Sequence, residues 1–176
     1  MARLFVAIRP PQAVRRSLLA AMGGIDGARW QDDEQLHLTL AFAGEIPRPQ
    51  ANALIEALAE VESPAFAAEV IGVGHFERKH VPAAVWARVP LTDALAQLQH
   101  RVERAARRAG LVPEKRAYRP HITLARLPRS AQPVGDWLAR HGTLRAGPWQ
   151  VDGFTLYESR LRPEGALYTA LVDYEF

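Results

Sequence analysis

Polar and apolar residues alternate one for one in two short stretches of this chain, His37-Leu38-Thr39-Leu40 and His121-Ile122-Thr123-Leu124. A period of two marks a half-buried β-strand. On such a strand His and Thr share one face, while Leu or Ile points into a core. Residues 4–8 predict a first strand. Residues 11–22 predict a helix, with Pro11 early in it and Gly23-Gly24 ending it. A short strand is expected near Arg29-Trp30. Beyond a turn at residues 44–49, Leu54, Ile55, Leu58 and Val61 form the apolar stripe of a helix over residues 50–61. Strands are predicted over residues 67–76 and 83–89, the second containing Trp86. Leu95, Leu98, Val102, Ala105 and Ala109 mark the inner side of a long helix over residues 92–109, with Gly110 placed to end it. A short helix over residues 134–140 and a final strand pair over 150–158 and 166–176 complete the chain. Leu156, Leu167 and Leu171 are expected to fill that pair's core.

The order around each alternating stretch is alike, with a helix before it, a turn after it and then another helix. The two stretches lie 84 positions apart, close to half of the 176 residues. No Gly/Ser linker or low-complexity tract divides the chain. The pattern predicts one α+β domain over residues 1–176 built as two pseudo-symmetric lobes, with antiparallel sheets lining a central cleft and helices packed outside. Its doubled motif strands would face each other across the cleft, offering two imidazoles and two hydroxyls to whatever lies between.

Bulk properties narrow the possibilities. Hydrophobic residues make up 48% and charged residues 23%, ordinary for a globular protein. No run of eighteen apolar residues is present, so no spanning helix is expected. The apolar run before Arg9-Pro10-Pro11 is too short for a signal-peptide core. Cysteine is absent, which removes disulfides, thiolate zinc sites and a cysteine nucleophile together. A cytoplasmic monomer is the default expectation, since no heptad pattern or apolar seam appears. Net charge is +3 and the pI about 9.7, compatible with a polyanionic substrate. The densest basic cluster, Arg101, Arg104, Arg107 and Arg108 with Glu103, has helical spacing and reads as a solvated helix face ahead of an RNA-contacting patch.

Histidine takes or gives a proton near neutral pH. Two of them on opposite sides of a phosphorus atom form a base and acid pair, and threonine hydroxyls can hold the non-bridging oxygens. A ribonucleoside 2′,3′-cyclic phosphate suits this set, because its strained ring lowers the barrier without a metal. Neither a metal nor another cofactor is expected: each motif histidine lies beside Thr rather than at i, i+4 from a second histidine, and Asp32-Asp33-Glu34 falls in the turn before the first motif. The chain has no Gly-x-Ser-x-Gly elbow and no phosphate-binding Gly-x4-Gly-Lys-Ser/Thr loop. His75, His80, His100 and His141 read as structural, loop or outer-face residues. A protein that only binds RNA ends is the alternative, though binding alone calls for Arg and Lys more than for paired imidazoles.

The chain also resembles a family. Arg3-Leu4-Phe5-Val6-Ala7-Ile8, Trp30 ahead of His37-Leu38-Thr39-Leu40-Ala41-Phe42-Ala43-Gly44, and Val85-Trp86-Ala87 carry the likeness through the first half. Arg119-Pro120-His121-Ile122-Thr123-Leu124-Ala125-Arg126 and Ser159-Arg160-Leu161, followed by Gly165 and Tyr168, extend it nearly to the end. These residues resemble the RNA 2′,3′-cyclic phosphodiesterases, or 2′-5′ RNA ligases, the LigT/ThpR branch of the two-histidine phosphoesterases. The resemblance implies His37 and His121 as the catalytic pair and Thr39 and Thr123 as phosphate holders. It implies Phe42 and Arg126 as the two faces of a nucleobase clamp. It further implies an RNA with a cyclic end, or a cyclic nucleotide, as substrate and a 2′-phosphate as product; the large excess of water ranks hydrolysis ahead of 2′-5′ ligation. Ala43 and Tyr118 depart from the family's usual larger aliphatic and Phe. Phe42 and Arg126 each lie five residues after their histidine, so strict alternation would put them on the opposite face. The clamp requires that each strand end, twist or bulge just after its motif.

Overall fold

A computed structural model describes residues 1–131 and 133–176. Among them are ten strands and four α-helices in three antiparallel sheets. The chain runs β1 (Ala2–Ile8), α1 (Gln12–Ala20), β2 (Arg29–Trp30), β3 (Leu38–Ile46), α2 (Arg48–Ala59), β4 (Phe66–Ile71), β5 (Val73–Arg78) and β6 (Val81–Arg88). It continues with α3 (Asp93–Arg108), β7 (His121–Arg126), α4 (Gly135–Arg140), β8 (Arg145–Val151), β9 (Gly153–Arg162) and β10 (Gly165–Glu175). One four-stranded sheet has the order β10-β9-β1-β3 and the other β2-β7-β6-β5; β4 and β8 form a two-stranded sheet. The expected α+β class with antiparallel sheets and outer helices is observed. The motif strands fall in different four-stranded sheets, and β3 touches β7 across the gap between them.

The apolar half of each motif anchors this arrangement. Leu38, Leu40, Ile122 and Leu124 are buried in one cluster that also holds Leu4, Val6 and Ile8 of β1 and Leu95, Leu98 and Val102 of α3. Burying each such side chain contributes roughly 1.5–3 kcal/mol, which fixes the strand faces and leaves His and Thr on the other side. The helix α3 has both ends its sequence encodes. Thr92 accepts from the Leu95 amide at its start. At its finish Gly110 has φ +86°, the Gly110 amide donates to the Arg107 carbonyl and the Leu111 amide to that of Ala106. No helix of the described residues is long and apolar enough to cross a membrane.

Three expectations change. The single strand over residues 67–76 is two strands, because Gly72 takes φ +81° and redirects the chain. On one side β4 pairs with β8; on the other β5 joins β6. The Gly72 amide and carbonyl are taken by the Leu144 carbonyl and the Arg88 amide, so the break leaves neither unsatisfied. The C-terminal strand pair is a set of three, with β8 beginning at Arg145. Leu167 and Leu171 do not fill a core: they are 37% and 43% exposed, whereas Leu156 is fully buried. The pairing of β10 with β9 slips between Ala170 and Val172, leaving Leu171 as the extra residue on β10.

Gly74 is set by close approach. It pairs with Trp86 across β5 and β6, and a Cβ there would collide with the Trp86 ring. Gly74→Ala should therefore lower stability by about 1–3 kcal/mol through overpacking. Urea denaturation of the variant checks this; an unchanged midpoint would show that the ring can move aside without cost.

Candidate active site

Each motif histidine is held in the same way. The Nδ1 of His37 lies 2.7 Å from the Gln35 carbonyl, and the Nδ1 of His121 lies 2.7 Å from the Arg119 carbonyl. A carbonyl oxygen only accepts, so Nδ1–H donates in both rings. In the neutral form Nε2 then carries the free lone pair in both. In both places the accepting carbonyl belongs to the residue two before the histidine, in the segment leading into the strand. Ahead of β3 that segment holds a short 3-10 helix, Asp33–Gln35. The Asp32 side chain accepts from the Gln35 amide, and the Gln35 side chain accepts from the Asp32 amide. Asp33 is engaged too, pairing with Arg15 at 2.8 Å and Arg9 at 3.4 Å.

Aromatic rings wall both imidazoles. The His37 ring lies 4.8 Å from that of Phe5 and meets Tyr168 edge-on at 5.0 Å. His121 meets Phe76 edge-on at 4.8 Å and lies 5.6 Å from Trp86. Other strands of each sheet supply these rings, β1 and β10 for one histidine, β5 and β6 for the other. Burial lowers the pKa of His37 from 6.5 to about 4, opposed by its bond to the Gln35 carbonyl. Positive charge from His121, Arg126 and Arg9 makes up a smaller part of the same lowering. His121 is also lowered, first by burial, with the Arg119 carbonyl opposing and the Arg119 and Arg126 charges adding. Arg126 thus acts on both imidazoles, and the two histidines share one electrostatic environment.

Phe42 and Arg126 join that environment because both strands bulge. On β3, Thr39 pairs with Ala7 and Ala41 with Val6, which leaves Leu40 as an extra residue. On β7, Thr123 pairs with Trp86 and Ala125 with Val85, which leaves Leu124 extra. Each bulge falls three residues after the histidine and reverses the alternation. Phe42 consequently pairs with Phe5, and Arg126 with Ala84. These partners lie two places from Ala7 and Trp86, so Phe42 returns to the face of Thr39 and Arg126 to that of Thr123. Phe42 is 60% exposed, so core packing does not claim it. Arg126 is exposed at the end of β7 and has no ion pair among the described residues. The carbonyls at the bulges are both used: Gln99 Nε2 donates to that of Leu40 at 3.4 Å, and the Gln31 amide to that of Leu124 at 2.8 Å.

All six residues expected from the sequence are therefore carried by β3 and β7 or by the residue leading into β3. Thr39 and Thr123 are half-buried one pleat beyond their histidines. The Thr39 carbonyl also accepts from the Tyr118 hydroxyl at 2.7 Å, tying the lead-in of the second motif to the backbone of the first. Sequence reasoning gave no role to Phe5, Tyr168, Phe76, Trp86, Arg9 or Arg119. Phe5, Trp86, Arg119 and Tyr168 lie within the segments that carry the family likeness, but only strand register shows which face they take. His75 lies 3.5 Å from Glu77, His80 sits in the β5–β6 turn at φ +65°, and His141 packs on Trp137. None is near the pair.

With this geometry the chain can be set beside known proteins. The model of the 2′-5′ RNA ligase superfamily matches residues 9–162. An RNA 2′,3′-cyclic phosphodiesterase of Archaeoglobus fulgidus is 30% identical over 98% of this chain and 99% of its own. One from Thermus thermophilus is 34% identical over 96% of this chain and 87% of its own. Among solved structures, TT0787 of Thermus thermophilus superposes with a TM-score of 0.79 at 30% identity, covering 98% and 97% of the two chains. E. coli LigT complexed with 3′-AMP superposes at 0.78 with 26% identity, covering 99% and 97%. Doubled His-x-Thr-x strands with matching bulges, and relatives alike from end to end, lead to one conclusion: this phosphoesterase belongs to the 2′-5′ RNA ligase superfamily.

Proposed function

We propose that this protein hydrolyses the 2′,3′-cyclic phosphate at an RNA end, or on a nucleotide, to a 2′-phosphate. The observation that carries the reading is the pair of imidazoles fixed in the same tautomer, each with Nε2 free beside Arg126. One Nε2 takes a proton from water as its oxygen attacks phosphorus. The other imidazole, protonated, delivers a proton to O3′ as the P–O3′ bond breaks. Water's oxygen stays on phosphorus, and the 2′-phosphate and a free 3′-hydroxyl remain. Thr39 and Thr123 hold the non-bridging oxygens while Phe42 and Arg126 stack on opposite faces of the base. No metal enters this scheme, in keeping with Asp32 and Asp33 being occupied by the turn and by arginines.

The bilobal chain acts as one domain over residues 1–176, as a monomer and in the cytoplasm, in this proposal. One buried cluster drawing on both motif strands supports the single-domain reading. A relative named for hydrolysis and a superfamily named for ligation describe the same transfer, with water or an RNA hydroxyl as the attacking group. Water is in large excess unless the second RNA is held in place, so hydrolysis is the main activity.

Adenosine 2′,3′-cyclic phosphate with EDTA present should be converted to 2′-AMP, read by chromatography that separates the 2′ and 3′ products. His37→Ala and His121→Ala should each lower kcat by roughly 10²–10⁴-fold, the usual worth of a positioned acid or base. Unimpaired turnover in either variant, or a requirement for metal, would overturn the mechanism. Phe42→Ala should act mainly on KM, raising it about 5- to 160-fold, since base stacking is worth roughly 1–3 kcal/mol.

The pH profile follows from the histidine environments. In the free enzyme both imidazoles sit below 6.5, so the bell in kcat/KM should centre on the acid side of 6.5. A bound phosphodiester anion favours imidazolium, which raises both values. The basic limb of kcat should therefore lie at higher pH than the basic limb of kcat/KM. A flat rate between about pH 5 and 8 would exclude a histidine pair.

A further inference from the structure

The arginine cluster on α3 does not form one solvated face. Arg107 turns to Glu103 one helical turn away, at 3.2 Å. Arg101, Arg104 and Arg108 recur at i, i+3 and i+7, and with residues 60–64 beyond α2 they line a groove of about 550 Å³. We propose that this groove is a second phosphate site, which takes the phosphodiester backbone of an RNA whose cyclic end lies in the cleft. The inference rests on the function proposed above for its choice of RNA.

The guanidinium groups are positioned but not consumed. Arg101 Nη1 donates to the Glu62 carbonyl at 3.0 Å, and Arg108 Nη2 to the Ala57 carbonyl at 3.3 Å. Each guanidinium has five N–H donors, so those bonds orient it and leave most donors free. Arg104 is exposed and has no acceptor among the described residues. Glu60 reaches Arg108 only at 3.8 Å with both side chains more than half exposed, a pairing that contributes little. Arg101 meets Glu62 through the main chain rather than the carboxylate. Glu60 and Glu62 also line the groove, so its three guanidiniums leave a net excess of one positive charge while keeping most of their donors.

Its chemistry selects phosphate rather than base. Guanidinium forks match phosphate oxygens two at a time. The lining has no aromatic ring on which a base could stack. The three arginines span roughly 10 Å of helix at about 1.5 Å per residue, an elongated row rather than a single-ion nest. The groove is also separate from the cleft. The helix α3 packs on β3 from the side of buried Leu38 and Leu40, opposite His37 and Thr39, and β3 is the outermost strand of its sheet. The groove and the cleft lie on opposite faces of β3, so a mononucleotide cannot occupy both places.

Length dependence is thus the test. Kinetics of adenosine 2′,3′-cyclic phosphate and of a single-stranded RNA of about twelve nucleotides with a cyclic end are compared over a range of salt, a length chosen to exceed the reach of one base clamp. In Arg101→Gln/Arg104→Gln/Arg108→Gln, the RNA's KM should rise about tenfold. Its log–log salt slope should fall by about 2, three contacts at roughly 0.7 each for single strands. The mononucleotide's kinetics should stay within about twofold, which also shows that the variant is folded. Arg104→Glu alone, which breaks no internal bond, should raise the RNA's KM severalfold. An RNA KM and salt slope equal to wild type in both variants would overturn the groove. If wild type turns over neither substrate, the proposed reaction fails instead, and fluorescence anisotropy with a 2′-phosphorylated RNA decides the groove separately. Weaker binding by the triple variant supports it; equal binding overturns it.

Discussion

Alternation along a β-strand forbids a residue five places after a histidine from sharing its face. The site depends on that prohibition being lifted twice. Leu40 and Leu124 each add one residue to a ladder, and each addition carries the side chain two places on, Phe42 or Arg126, over to the face of the histidine and threonine. Both bulged residues are buried leucines, so the extra residue is anchored in the core rather than looped out to water. Their carbonyls are taken by Gln99 and Gln31, which removes the cost of an unsatisfied buried acceptor. Without the bulges, Phe42 and Arg126 would point away from the imidazoles, and a clamp for a base could not coexist with the pair. The recurrence of one irregularity at equivalent places in two sheets is what makes the two halves a single site.

The aromatic walls and the arginines push in one direction. Burial against Phe5, Tyr168, Phe76 and Trp86 disfavours charge on either ring, and Arg126, Arg9 and Arg119 reinforce that. Near neutral pH the site is therefore a pair of largely neutral imidazoles in the field of a guanidinium. Such a site is complementary to an anion, and in the proposed mechanism the anion supplies what the resting state lacks. A phosphodiester between the rings stabilises the one imidazolium that the reaction requires. Only one proton need be resident, since like charge on the second ring would be repelled. Substrate binding and protonation are coupled by the same electrostatics, with no carboxylate needed to orient either histidine, because main-chain carbonyls hold both rings.

How far the sequence reaches into this structure depends on the range of the forces involved. Local patterns are legible: α3 is bounded by Thr92 and Gly110, and the motif faces by their alternating apolar residues. The positions of His37, Thr39, His121 and Thr123 on one side of their strands follow from that alternation alone. Phe42 and Arg126 are a middle case. Their equivalence is visible as spacing, and the need for a bend follows by counting, but nothing local says that Leu40 and Leu124 supply it. The break at Gly72 was not legible, since a glycine inside an apolar run is equally compatible with a continuous strand. The aromatic walls were not either, because Phe5 and Tyr168 meet His37 only through the order β10-β9-β1-β3. Leu167 and Leu171 failed for the converse reason: an apolar residue on a hairpin face with no layer above it stays exposed.

The arginines of α3 show the same limit at the surface, and they bear on what the molecule discriminates. Helical spacing groups Arg101, Arg104, Arg107 and Arg108 as one basic face. Whether such a face is solvated or forms a groove is decided by residues 60–64, which arrive from another helix. The proposed clamp of one exposed ring and one guanidinium would stack on any base, which gives the cleft by itself little means of distinguishing a nucleotide from the end of an RNA. Discrimination by length has to come from outside the cleft, on a surface that a nucleotide cannot reach. On the proposed reading, that places substrate choice on the helical side of β3 and chemistry on its other side. One strand then separates the groups that recognise a polymer from the groups that open its terminal ring.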